Sequence, residues 1–347
     1  MIDIKKPADL FAFLKGGPRC SLGIDIGTSE VKAVKAVFNG SSAGLCRAIR
    51  ENIVDGGVQD ALSRAVSAFP EVRGVNLSIA GSNSVVMRYI TMPRMDRKEL
   101  FQALKFEATK YVPFPLEEVY FDAQIISAQS GTDNKMQVLL AAARKELVNQ
   151  RMEMAERSGI KVNCIDIDCL AVFNAFNAAC PDIMQAYGKK TFALLNIGDR
   201  NSNLDIVDGG NLKLSRDLHQ GVIKMMERIS LASSLDQASV AGGLAAGSQL
   251  KQEDFGRAFG QAVSELAMEL RVSFDYYESQ SSAAVSCIQL SGEAAGWQGF
   301  IEQLSELLGL PVEGWDPLRQ PPCTPDLVLP AGGSSGFAVA AGLALRR

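Results

Sequence analysis

Two distant stretches of this chain repeat one pattern, and that repeat constrains the fold more than any other feature. The first, Ser21-Leu22-Gly23-Ile24-Asp25-Ile26-Gly27-Thr28-Ser29-Glu30-Val31-Lys32, reads as a buried strand, a tight turn and a second strand. The second, Thr191-Phe192-Ala193-Leu194-Leu195-Asn196-Ile197-Gly198-Asp199 and on to Val207, is again a strand, an Ile-Gly, a polar turn and a strand. Laid together, Asn196 falls on Asp25, Gly198 on Gly27 and Ser202 near Glu30. An internal duplication predicts two similar halves. Two such turns facing each other would grip phosphates from both sides, with the cleft between them as the binding site.

The chemistry of the first turn fits that use. Gly27 lets the backbone approach a ligand closely. Thr28 and Ser29 can aim N–H groups and hydroxyls at an anion. Asp25 can hold Mg²⁺ through water, because hard cations prefer oxygen ligands. The same residues also suit an ordinary β-hairpin, and the sequence around the turn leaves both readings open.

Composition narrows the function class. Thirty-five basic and 39 acidic residues give a net charge of −4, against a broad nucleic-acid-binding face. No apolar run approaches the roughly 20 residues of a membrane span. The start, Met1-Ile2-Asp3-Ile4-Lys5-Lys6-Pro7, lacks a signal-peptide pattern, so a cytoplasmic protein is expected. Seven cysteines, with no Cys-x-x-Cys, read as reduced and buried. A single histidine, His219, argues against His-rich metal sites and Ser-His-Asp or Cys-His catalysis.

Residues 1–20 form a leader whose short apolar run, Leu10 to Leu14, is expected to pack on the protein's own surface rather than on a membrane. Strands are predicted at 74–80, 84–90, 119–126, 137–144, 160–167 and 286–292. Helices are predicted at 96–111 (Asp96 as N-cap, Pro113 beyond its end), 146–158, 169–179, 222–231, 255–277, 297–308 and 336–345. A proline-rich loop is expected over 316–330. The alternation argues for an α/β fold.

The strand-acid-x-Gly-Thr hairpin, its partial repeat and the strand ending Ser291-Gly292 resemble the actin/Hsp70/sugar-kinase ATPase superfamily. Within it the chain resembles the PilM family of type IV pilus assembly proteins, relatives of the division protein FtsA. That closer likeness rests on Glu107-Ala108-Thr109-Lys110-Tyr111-Val112-Pro113-Phe114-Pro115, on Ala141-Ala142-Ala143-Arg144-Lys145-Glu146, and on the tail Gly336 to Arg346. The resemblance implies an actin-like two-lobed α/β fold built from duplicated ribonuclease-H-like domains, with a small subdomain inserted in the first lobe. The expected division is a first lobe at 21–190, with the insertion at about 85–145, and a second at 191–347. A helical subdomain is expected at about 221–284, and the C-terminal helix packs back on the first lobe.

The resemblance also implies a cytoplasmic adaptor at the inner membrane. Its partner would be the short N-terminal tail of a PilN-like membrane protein, bound in a groove beside the inserted subdomain. Tyr111 and Phe114 read either as groove residues or as core aromatics. For ATP and Mg²⁺, the resemblance assigns Asp25, Gly27, Thr28, Ser29, Lys32, Asn196, Gly198 and Gly292 to the nucleotide, and Asp25 and Asp168 to the metal. Asp168 is also a candidate catalytic acid, or simply a helix N-cap. Two departures weaken the nucleotide site. Asn196 replaces an acid that would help hold Mg²⁺, and the adenosine loop keeps only Gly292 and Gly296, with Glu293 between them. Weak ATP binding and little hydrolysis are expected. The alternatives are a small-molecule kinase using Asp166 or Asp168 as base, and an FtsA-like filament former.

Overall fold

A computed structural model describes residues 19–40, 42–54, 57–80, 84–128, 134–187, 190–247, 252–320, 322–330 and 333–346. The leader's apolar run and the polar turn at 131–133 lie outside the described residues. Among the described residues, three sheets organise the chain. The first begins as a meander of β1 (Arg19–Ile26), β2 (Glu30–Asn39) and β3 (Ser42–Asn52), followed by α1 (Gly57–Ser67) and the parallel strand β4 (Val75–Ile79). The chain then leaves for β5 (Val85–Pro93), α2 (Arg97–Glu107), β6 (Val119–Ala128) and β7 (Lys135–Arg144), which make a separate antiparallel sheet ordered β5-β7-β6. It returns through α3 (Lys145–Arg157) to β8 (Val162–Ile167), parallel to β4.

After α4 (Asp168–Ala179) and α5 (Pro181–Ala186), the plan is repeated: β9 (Thr191–Ile197), β10 (Ser202–Asp208) and β11 (Asn211–Leu218) form a second meander. Three helices follow, α6 (Val222–Ser233), α7 (Gln237–Ala246) and α8 (Glu253–Ser281). Next come β12 (Val285–Gly292), α9 (Phe300–Leu308), β13 (Val312–Gly314), β14 (Cys323–Val328) and α10 (Ala338–Ala344). The sheet orders are β14-β3-β2-β1-β4-β8 and β11-β10-β9-β12-β13. Apart from the added β14, each is an antiparallel meander extended by two parallel strands in the same order. The duplication read from two turns therefore extends to whole sheets.

Local sequence explains most elements. α2 starts with a capping box: Glu99 N–H donates to Asp96 Oδ1 at 2.8 Å and Asp96 N–H to Glu99 Oε2 at 3.0 Å. Tyr111 and Phe114 pack against the core under α2. The apolar stripe of α8, with Phe259, Val263, Leu266, Leu270 and Phe274, is buried against the second sheet; each such side chain contributes roughly 2 kcal/mol through burial. α10 lies on α4 at backbone distance, where a Cβ on Gly342 would meet the Ala171 carbonyl oxygen at 1.8 Å.

Two sequence readings need correction. The expected loop at 316–330 contains β14, which pairs parallel with β3 at the sheet's edge. Pro325 is tolerated there because an edge strand leaves one row of N–H groups unpaired. The helix expected from Trp297 starts at Phe300, after a 3-10 turn over Glu293–Gly296.

Candidate functional site

The two turns of the duplication meet. In the first, Gly27 N–H donates to the Glu30 carbonyl at 2.9 Å; in the second, Gly198 N–H donates to the Asn201 carbonyl at 3.2 Å. Ile26 pairs with Val31 and Ile197 with Ser202, so both turns have four residues. Asn201 thus stands where Glu30 does, one place before Ser202. Asp199 stands where Thr28 does. Its Oδ2 accepts the Ser29 backbone N–H at 2.9 Å and the Ser29 hydroxyl at 2.6 Å. Burial pushes the Asp199 carboxyl up, but Ser29's two donors, Lys32 and the Thr28 N–H outweigh it and hold the group below its ordinary value.

Lys32, on β2 just behind the turn, is buried rather than solvated. Its Nζ lies 3.5 Å from Glu30 Oε2 and 3.4 Å from Glu293 Oε1, while Arg50 Nη1 lies 3.2 Å from Glu30 Oε1 and 3.4 Å from Glu293 Oε1. Burial alone would push the ammonium down; Glu293, Asp25 and Glu30 together hold it above the ordinary lysine value. The Arg50 guanidinium also stands 5.5 Å from the centre of the Phe337 ring. β2, β3, the end of β12 and the segment before α10 thereby converge on one cluster of four charges.

Asp25 and Asp168 face each other electrostatically. Burial pushes Asp25 up, against the pull of Lys32 and Arg151. Burial and the nearby Asp25 push Asp168 up to about 7, with a Ser78 hydrogen bond and Arg151 opposing. Asp168 is the first residue of α4, whose cap is Ile167, so it is not the N-cap. Arg151, from α3, anchors by donating to the Ile26 carbonyl at 3.3 Å. Asn196 turns to β12, its Oδ1 accepting the Ser291 hydroxyl at 3.0 Å. Gly292 has φ +97°, and a Cβ there would meet the Ile197 carbonyl oxygen at 2.1 Å. That glycine is demanded by strand packing whether or not a ligand binds. Asp166 accepts its own neighbour's Ile167 N–H at 2.9 Å and pairs with Arg346, which leaves it in a structural role.

The sequence-predicted residues therefore converge on an anion seat that protein carboxylates already occupy. The donors have the right chemistry for an anion, because they already hold carboxylates. Those seats are filled by Asp199 and Glu293. Among the described residues no group of three or more His, Cys, Asp or Glu side chains is placed to hold a metal. Sequence reasoning passed over Asp199, Glu30, Arg50 and Arg151. Only Asp199 carried a readable signal, an acid aligned with Thr28 of the first turn. Arg50 and Arg151 come from elements whose approach only the fold decides.

A second feature lies between the first sheet and the inserted one. A cavity of about 280 Å³ is lined by Tyr120, Ala141 to Ala143, Val148, Asn149, Met152 and β8 from Val162 to Ile167. β8 ends the first sheet, with no strand on its far side among the described residues. Among those residues no helix is long and apolar enough to cross a membrane.

Comparison with known proteins gives the fold its context. The sequence profile of a family described as type IV pilus assembly protein PilM matches residues 23–347. A solved structure titled PilM-PilN type IV pilus biogenesis complex is 24% identical, covers 94% of this chain and 97% of its own, and superposes with a TM-score of 0.75. The ethanolamine utilization protein EutJ from Carboxydothermus hydrogenoformans is 11% identical, with 95% and 90% covered and a TM-score of 0.52. The duplicated sheets, the insertion between β4 and α3 and these likenesses describe an actin-like fold. With its profile matched over nearly the whole sequence, the chain belongs to the type IV pilus assembly protein PilM family.

Proposed function

We propose that this protein is an actin-like adaptor at the cytoplasmic face of the inner membrane, in the assembly platform of a type IV pilus or a related type II secretion system. Residues 21–190, with the insertion, act as one lobe and 191–347 as the other. The partner is the short N-terminal cytoplasmic tail of a PilN-like membrane protein. One observation carries this reading: the apolar cavity between β8 and the inserted sheet. An unpaired strand edge offers backbone donors and acceptors to an extended segment, and the pocket beside it takes apolar side chains. A structural relative described as a PilM-PilN complex supports a PilN-like partner.

Asp25, Gly27, Thr28, Ser29, Lys32, Asn196, Gly198 and Gly292, with Asp168, form the remnant of a nucleotide site. It binds ATP–Mg²⁺ weakly and does not turn it over efficiently. A fluorescent peptide copying the start of a neighbouring PilN-like protein tests the adaptor role. It should bind at micromolar concentration, and Ala141→Trp, which fills the cavity, should weaken it at least about tenfold without altering the melting temperature. No binding at high micromolar concentration, or unchanged binding to that variant, would overturn the groove.

A further inference from the structure

We propose that Asp199 and Glu293 are built-in stand-ins for the anionic groups of a nucleotide, an autoinhibitory pair that closes the cleft in the absence of ligand. The inference rests on reading the cleft as a nucleotide site. Asp199 offers a planar anion to the N–H and hydroxyl of Ser29 at 2.9 and 2.6 Å. A phosphate oxygen would take the same two donors, since a turn of successive N–H groups is an anion seat whatever the anion. The carboxylate reaches across from the opposite turn, so it does two things at once. It fills the seat, and it ties the tip of the first sheet to the tip of the second.

Glu293 repeats the device more loosely. It follows Gly292 directly and brings Oε1 to 3.4 Å from both Lys32 Nζ and Arg50 Nη1. That oxygen is buried without a hydrogen bond, and so is Glu30 Oε2, 3.5 Å from the same ammonium. Charge alone holds these contacts, at a separation where an unsatisfied buried oxygen is costly. Lys32 therefore sits beside a carboxylate that a better-fitting anion can displace. The segment before α10 closes the other side, where a Cβ on Gly336 would stand 3.2 Å from Lys32 Nζ. A lowered Asp199 pKa agrees with this picture, because a stand-in for phosphate must be ionised.

The consequence is that nucleotide and Asp199 compete for Ser29. Calorimetric titration of ATP–Mg²⁺ into the full chain tests it, with wild type, Asp199→Asn, Asp199→Ser and Glu293→Gln compared. Asp217→Asn serves as a control that removes a different negative charge, one that also acts on Asp168. Affinity should rise at least about tenfold in both Asp199 variants, rise less in Glu293→Gln, and change little in the control. Two Asp199 replacements keep the test usable if one of them fails to fold. Equal affinity in wild type and the Asp199 variants overturns the stand-in and leaves the nucleotide reading intact. An equal rise in the control also overturns it, as a general charge effect. No binding by any form at millimolar ATP overturns both.

Discussion

The turn after β1 and the turn after β9 have the same length, the same Gly-to-carbonyl closing bond and the same place in a repeated sheet. They differ in what they present. The first offers N–H groups and hydroxyls; the second offers a carboxylate, which the first accepts. Duplicated backbones normally leave two like surfaces facing each other. Here one exchange, an acid in the position of Thr28, makes the two turns complementary and joins them by two hydrogen bonds.

That comparison can be broken at several points. The largest effect is expected from Gly292→Ala, which forces a Cβ into the Ile197 carbonyl and should cost about 3 kcal/mol in chemical denaturation. Gly296→Ala, with open space around it, should stay within about 0.5 kcal/mol. Equal costs would show that β12 does not approach β9 as described.

The acids behind the turns give a pH signature. Asp168 is held up to about 7 against an ordinary 3.8. Between those values the folded chain keeps a proton that the unfolded chain releases. Stability should therefore fall as pH rises from about 4 to about 7, by at most about 1.4 kcal/mol per unit. Asp168→Asn should remove that slope, and parallel pH profiles for the two proteins would refute it.

A smaller effect is expected at the contact itself. A double-mutant cycle of Asp199→Asn with Ser29→Ala should return a coupling of about 1 kcal/mol, discounted for the partial exposure of both groups. Coupling near zero would mean the two turns touch without holding. Thr28→Ala, at an exposed position, should change stability by less than about 0.5 kcal/mol.

Much of the fold was legible because periodicity and caps act locally. The capping box at Asp96, the stripe of α8 and the Gly159 stop after α3 each need only their neighbours in sequence. β14 was not legible, since its proline-rich composition reads as loop until an edge is there to accept it. In the site, the turn residues and Lys32 stood out, but not their occupants. Nothing near Glu293 in sequence shows that Lys32 lies beside it, because β2 and the end of β12 belong to different sheets.

The sequence by itself determined the duplicated strand-turn-strand units, their glycines and the family, because these depend on short-range backbone chemistry and on motif spacing. Only the tertiary structure decided what the turns hold. Charge complementarity over a few ångströms depends on how two sheets are docked, and that docking is set by the burial of α4 and α10 between them. The same Asp199 would be a solvated turn residue on an isolated hairpin; opposite Ser29 it accepts two hydrogen bonds from the other turn.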